Sequence, residues 1–231
     1  MNFLLPTSGN DFAGIKNTTL GTLVRDRLLS KILSGELLPG QALREPEIVE
    51  ELQVSRVPVR EALRQLESMG LVVARKNCGV SVRTLTDKEV EDLYAFRALL
   101  DEFAGRQLIQ RDQAQRTALA ARLDRLCDEM DSAIAQDDAQ SYYRSNLQFH
   151  WVFIEALGNA EVEKTYREII QKLHLARFAN LRNPEHRRHS NDEHRLIATA
   201  LRAADAPEGG QECAALLSKH VNQALQRLRA G

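Results

Sequence analysis

From Thr19 onward, apolar residues recur at threes and fours. Leu20, Leu23, Val24, Leu28 and Ile32 share one side of a helix until Gly35 and Pro39-Gly40 break the run. A short second helix is predicted over about Glu45 to Leu52, with Ile48, Val49 and Leu52 turned inward. Gln53-Val54-Ser55 lead into a third helix that runs to about Met69 and stops at Gly70. Ser55 is expected to cap this helix by accepting a backbone N–H, and Pro58 falls in its first turn, where a missing N–H costs nothing. Two β-prone stretches follow, Leu71-Val72-Val73 and Val80-Ser81-Val82, around the basic turn Arg75-Lys76-Asn77-Cys78-Gly79. A helix, a helix-turn-helix and a small β-hairpin, in that order, spell a winged helix.

After Thr84 the alternation disappears and the pattern is helical throughout. Six helices are predicted, over about 87–109, 112–135, 138–157, 160–180, 190–204 and 210–229, with breaks at Asp137-Asp138, Gly158-Asn159, Asn183-Pro184 and Pro207 through Gly210. Helices joined by short links pack as an antiparallel six-helix bundle, here long enough to enclose a cavity. The expected fold is therefore mainly α: a mobile tail over 1–17, a winged helix-turn-helix over 18–84 with a hairpin wing, a linker over 85–87, and an all-helical domain over 88–231.

Composition narrows the setting without naming a function. A chain that is 43% hydrophobic and 27% charged has the make-up of an ordinary folded globular protein, which sets disorder aside. No apolar run approaches the roughly 20 residues that span a bilayer, and no charged segment followed by an apolar one opens the chain, so a cytoplasmic location without a membrane partner is expected. Cys78, Cys127 and Cys213 are far apart and form no CxxC pair, which fits free thiols better than a disulfide framework or a thiolate zinc site. The net charge of −1 hides a mild asymmetry: residues 18–84 hold 10 Lys and Arg against 8 Asp and Glu, while 85–231 hold 20 against 23. That balance agrees with DNA at the front of the chain but does not establish it.

Local arrangement says more. Arg56, Arg60 and Arg64 stand at i, i+4 and i+8 of the third helix, with Val59, Leu63 and Leu66 on the opposite side. A guanidinium stripe can meet phosphates and guanine edges together, and the early residues of such a helix sit deepest in the major groove. Spacing alone leaves a solvated charged face equally open. Taken with Pro39-Gly40, Leu43, Glu45, the run Val54-Ser55-Arg56-x-Pro58-Val59-Arg60-Glu61-Ala62-Leu63, Leu66, Gly70-Leu71-Val72 and Gly79, residues 18–84 resemble the DNA-binding domain of the GntR regulators. The resemblance implies DNA contacts from Arg56, Arg60 and wing Gly79, with Ser55 near a phosphate. Some relatives carry a DNA-reaching arginine in helix two where this chain has Pro46, and Arg44 is placed to substitute.

Residues 88–229 resemble the FCD domain of the FadR-type branch. They do so through Arg97, Leu100-Asp101 and Ala104, then Asn146-Leu147-Gln148-Phe149-His150, then Glu193-His194, Ile197 and Ala200-Leu201, and last His220. In that domain an amide or carboxylate, a histidine four residues later and two histidines from later helices bind one divalent metal, which implies Asn146, His150, His194 and His220. Asn146 and His150 are indeed i,i+4 neighbours able to share an ion, and imidazole and amide donors suit zinc, nickel or manganese alike. Arg97 is the candidate grip for a small carboxylate effector, with an ordinary i,i+4 surface ion pair to Asp101 as the alternative. A longer-looking junction over 205–210 sits between His194 and His220. The implied protein is a transcriptional regulator of the repressor type, a homodimer on double-stranded operator DNA. No HExxH, GxSxG or nucleophile motif supports an enzyme.

Overall fold

The computed structural model describes residues 19–76, 78–177, 183–203 and 207–230. The tail expected over 1–17, Asn77 at the wing tip and part of the 205–210 junction lie outside the described residues. By contacts the chain divides into two compact units. One runs up to Thr86 and takes in the second half of the helix that begins at Ala160; the other holds Asp87–Tyr166 and the last two helices.

The first unit comprises α1 (Leu20–Leu33), β1 (Ala42–Leu43), α2 (Glu45–Leu52), α3 (Arg56–Ser68), β2 (Val72–Arg75) and β3 (Gly79–Val82). Thr19 caps α1, its hydroxyl accepting from Thr22 N–H at 3.1 Å. The buried side of α1 is Val24, Leu28, Leu29, Ile32 and Leu33, which packs on α3, whereas Leu20 and Leu23, expected inside, are 49% and 54% exposed. The first turn meets α3 through Gly21, which lies against Glu61, and leaves the two leucines outside. In α2 only Ile48 is buried; Val49 and Leu52 are half-exposed. Gln53 takes a left-handed conformation at φ 52°, turning the chain sharply from α2 into α3. Ser55 holds the N-cap position of α3 in extended backbone, but its side chain makes no capping bond, so the expected cap is absent.

The wing is a three-stranded antiparallel sheet in the order β1-β3-β2, with Leu43 opposite Val80 and Val72 opposite Val82. The hairpin was expected. Strand β1 was not, because two residues are too few to carry a period.

The second unit is helical: α4 (Asp87–Leu108), α5 (Gln113–Ala135), α6 (Ala139–Ala156), the start of α7 (Ala160–Arg177), α8 (Pro184–Arg202) and α9 (Pro207–Ala230). Asp112, Asp138 and Asn183 cap α5, α6 and α8 by accepting backbone N–H bonds. The structure moves the start of α8 from 190 back to Pro184. Asn183-Pro184, taken as a break, is an N-cap followed by proline at the first helical position, which belongs at a helix start. The last helix likewise begins at Pro207, and Asp87 is the first residue of α4 rather than the end of a linker. α4 packs on α9, α9 on α8, α8 on α5, α5 on α6 and α6 on α4, so five helices close a ring. Helix α6 is buried on nearly every side from Tyr142 to Ile154, as its run of aromatic and aliphatic residues requires. All three cysteines are free, and burial pushes the Cys127 and Cys213 thiols up to about 12, which keeps them protonated.

Candidate functional site

The outer face of α3 carries Arg56, Arg60 and Arg64, all exposed, while Val59, Ala62, Leu63 and Leu66 anchor the inner face. Each arginine is in a different state. Arg60 Nε donates to Glu45 Oε2 at 2.9 Å, so a carboxylate at the start of α2 holds it. Arg56 and Arg64 have no ion-pair partner among the described residues. Arg44, at the N-cap position of α2, pairs with Glu47 at 3.1 Å and is well exposed. Ser55, released from capping, is exposed with its hydroxyl available. Val57, which sequence reasoning passed over, is 74% exposed on the same helix, where an apolar side chain suits a thymine methyl group. At the wing, Gly79 has φ 78°, a left-handed conformation, and a Cβ placed there would meet nothing within 4 Å.

Inside the helical ring, His150 from α6, His194 from α8 and His220 from α9 converge, each offering a nitrogen within 4.8 Å of the others. His150 Nε2 lies 3.4 Å from His194 Nε2, and the Asn146 side-chain amide is also 3.4 Å from His194 Nε2. Turning the amide over would present its oxygen instead, since the two ends are interchangeable in such an assignment. All four residues are buried, His194 completely. The longer-looking junction before α9 does not displace His220 from the group. His174, His186 and His189 do not join it; His174 is buried elsewhere on α7.

Two carboxylates that sequence reasoning did not assign set the ring orientations. Asp101 faces His150 Nδ1 at 3.3 Å, and Glu193 faces His220 Nδ1 at 2.6 Å. A neutral imidazole carries one N–H, and a carboxylate accepts it; in the neutral state both rings carry it on Nδ1 and keep Nε2 as an acceptor, which in His150 faces His194 Nε2. Burial first, then the neighbouring His194, His150, Arg97 and Arg227, hold His220 well below the ordinary histidine range. Arg227 grips Glu193 through both terminal nitrogens at 2.9 and 2.6 Å, against the burial that raises the glutamate's pKa. Phe149 walls the site, its ring centroid 4.3 Å from that of His194.

Arg97 is wholly buried. Its Nε reaches Asp101 Oδ2 at 3.2 Å and donates to the Tyr166 hydroxyl at 3.1 Å, and Tyr166 donates on to Asp101. The i,i+4 pair with Asp101 thus exists, but in the core rather than at the surface. Burial acts against the charge, yet Tyr166, Asp101 and Tyr94 outweigh it and keep the group cationic. Both terminal nitrogens, Nη1 and Nη2, are buried without a hydrogen-bond partner. A charged group left so incompletely paired is costly, and an anion beside the imidazoles would satisfy it.

The donor set fits a divalent metal: three converging imidazoles, an amide, and carboxylates behind two of the rings. Comparison with known proteins bears on both halves of the chain. Residues 20–82 match the model of the gntR family of bacterial regulatory proteins, and residues 92–223 match the FCD domain. The Nta operon transcriptional regulator of Aminobacter aminovorans is 32% identical over 83% of this chain and 88% of its own. The gluconate operon transcriptional repressor of Bacillus subtilis is 28% identical over 67% of this chain and 62% of its own. The crystal structure of a GntR transcriptional regulator from Rhodococcus sp. RHA1 shares the fold with a TM-score of 0.76 at 23% identity, covering 93% of this chain and 99% of that one.

Proposed function

This chain belongs to the gntR family of bacterial regulatory proteins, in the branch that carries an FCD domain, and from that premise we propose that it is a homodimeric repressor whose helical unit binds a divalent metal and a small organic acid that modulates operator binding. It is a DNA-binding transcriptional regulator and not an enzyme, as its families and relatives are. No described helix is long and apolar enough to cross a membrane.

The observation that carries the sensing half is the pair of unpartnered nitrogens on Arg97, a side chain linked through Asp101 to His150 of the three converging imidazoles. Asn146, His150, His194 and His220 would hold the metal, which when bound would supply a Lewis acid for an oxygen of the effector. Four neutral donors leave the ion's charge uncompensated at first hand; Asp101 and Glu193 stand behind the rings. The effector class this favours is an anion, whose carboxylate would meet Arg97 in a charge-assisted bond. The gluconate operon repressor, among the relatives, takes its name from an operon for a sugar acid, which supports a carboxylate as the ligand class.

On the DNA side, Arg56 and Arg64 meet the duplex directly, and Arg60 exchanges Glu45 for a phosphate or base edge at small cost, since an exposed pair is worth at most about 1 kcal/mol. Ser55 and Arg44 take phosphates, and Gly79 lets the wing backbone approach. Only residues 83–86 separate β3 from α4, the helix that bears Arg97 and Asp101. That short link, centred on Thr84-Leu85-Thr86, is the hinge through which effector and DNA compete for one arrangement of the chain.

Metal analysis of the purified, metal-supplemented protein tests the reading. Wild type should carry close to one divalent ion per chain, and His150→Ala or His194→Ala should lose most of it while staying folded. Equal, near-zero metal in all three would remove the metal site.

A further inference from the structure

The inner face of α8 changes character along its length. At roughly 100° per residue, Asn191, His194, Ala198 and Leu201 all fall within about 40° of Arg187, and every one of the five is buried. Beyond His194 this face is apolar; before it, for two turns, it is an arginine and an asparagine. Such side chains go inside where something satisfies them.

Here both are left incomplete. Arg187 is 2% exposed and pairs through Nη2 with Asp137, while Nε and Nη1 are buried without a hydrogen-bond partner. Asn191 Nδ2 donates to the Cys127 carbonyl at 3.0 Å and to Asp131 Oδ1 at 2.6 Å. A carbonyl and a carboxylate can only accept, which fixes the amide as it stands and leaves Oδ1 as the buried, unpartnered end. Two donors and one acceptor thus lie a turn apart on the face that also bears His194.

What fills these places must accept from a guanidinium and donate to an amide oxygen. A carboxylate only accepts and would leave Asn191 unsatisfied; an ammonium only donates and would repel Arg187. A hydroxyl does both. Asp137 already balances the charge of Arg187, so a second anion is not required. Along the helix axis Asn191 stands about 5 Å and Arg187 about 10 Å before His194, at roughly 1.5 Å per residue. An acid of two or three carbons held beside the imidazoles ends short of Arg187, and a chain nearer six carbons reaches it.

We propose that Arg187 and Asn191 form a second subsite in the helical unit, which takes the hydroxyl groups at the far end of a polyhydroxylated carboxylic acid. The proposal rests on the organic-acid reading above and adds to it what the remainder of the acid must be. Arg97 anchors a carboxylate of any kind. Arg187 and Asn191 choose among the acids, because a bare alkyl chain would bury their polar atoms with nothing to pair them.

Calorimetric titration of the full, zinc-supplemented chain tests it with three probes of equal length: the epimers gluconate and galactonate, and hexanoate, which lacks the hydroxyls. Wild type should bind at least one of the two hydroxylated acids about tenfold or more tighter than hexanoate. Arg187→Met should bring that acid down to the level of hexanoate, with hexanoate affinity, metal content and helicity retained. The substitution strands Asp137, but in water, since its side chain is 77% exposed. Damage to the fold alone would weaken all three acids alike. Where Arg187→Met fails to fold, Arg187→Lys keeps the charge, loses the planar fork and should still lose most of the preference. Equal wild-type affinity for all three acids overturns the subsite and leaves the carboxylate at Arg97 standing. A preference that survives the substitution in a folded protein also overturns it, placing the hydroxyls elsewhere. Binding of none of the three overturns the organic-acid reading and the subsite together.

Discussion

At the scale of single residues, the arginines on α3 and α4 show how one side chain takes different roles from its surroundings. Arg56 is unpaired among the described residues, whereas Arg60 is held by Glu45. Arg56→Ala and Arg60→Ala should each weaken operator binding by about 1–3 kcal/mol where a bidentate base contact is lost, and Arg60 should show the smaller loss because its release from Glu45 offsets part of the gain. Fluorescence anisotropy with labelled operator measures both; full affinity in two folded variants would falsify the assignment of α3 as the reader. Arg97 calls for a subtler change. Removing it strands Asp101 in the core, and breaking a buried pair costs about 3–5 kcal/mol, so Arg97→Ala confounds sensing with folding. Arg97→Lys keeps the charge beside Asp101 but loses the two-nitrogen edge. It should fold, bind metal and bind operator, yet need at least about tenfold more organic acid for the same effect on DNA binding. An unaltered response moves the effector away from Arg97.

At the scale of elements, the contact of α4 with α9 is set by one glycine. A Cβ at Gly105 would lie 2.9 Å from Ala214 Cα and 2.9 Å from Leu217 Cδ1. Alanine in mid-helix normally gains about 1 kcal/mol over glycine, but overpacking against a backbone atom costs about 1–3 kcal/mol, and the second effect wins because Ala214 is buried and fixed in its own helix. Gly105→Ala should therefore lower stability by up to about 2 kcal/mol and Tm by a few degrees. A raised Tm in a thermal melt would show that the two helices part easily. Lys31, nearly buried on α1, gives the first unit a comparable joint: it meets Glu36 at 2.8 Å and Glu51 at 2.5 Å, tying α1 to the following turn and to α2.

For the whole molecule, the metal and the acid should act as linked ligands. Whatever binds only the folded state raises Tm, by an amount that grows with concentration over Kd, about 2.7 kcal/mol at a hundredfold excess. A screen of divalent metals and small carboxylates should find acids that raise Tm only with metal present and only while His150 and His194 are intact. Acids that stabilise the metal-free protein equally well would separate the two sites. If Arg56, Arg60 and Arg64 reach phosphates or bases in both half-sites, operator affinity should also fall steeply and linearly with log salt. A nearly flat dependence contradicts the arginine face.

Much of this was legible in the chain because it is written locally. Helical periodicity, the β-hairpin wing and the spacing that sets Arg56, Arg60 and Arg64 on one exposed helix face depend on residues a few positions apart, and each takes its expected place in the fold. Asn146 and His150 also share a helix face by spacing alone. Tertiary structure decided what depends on distant partners. Strand β1 exists only because β3 pairs with it. Ser55 stands at a cap without capping, and Leu20 and Leu23 lie exposed although their spacing matches the buried side of α1. The Arg97–Asp101 pair was visible as i and i+4, but its burial was not, and burial turns an ordinary ion pair into a charge with two unsatisfied nitrogens. The convergence of His150, His194 and His220, and the orientation of two of them by Asp101 and Glu193, required a ring of helices to close. Spacing fixes which side of a helix a residue occupies; only packing fixes what that side meets.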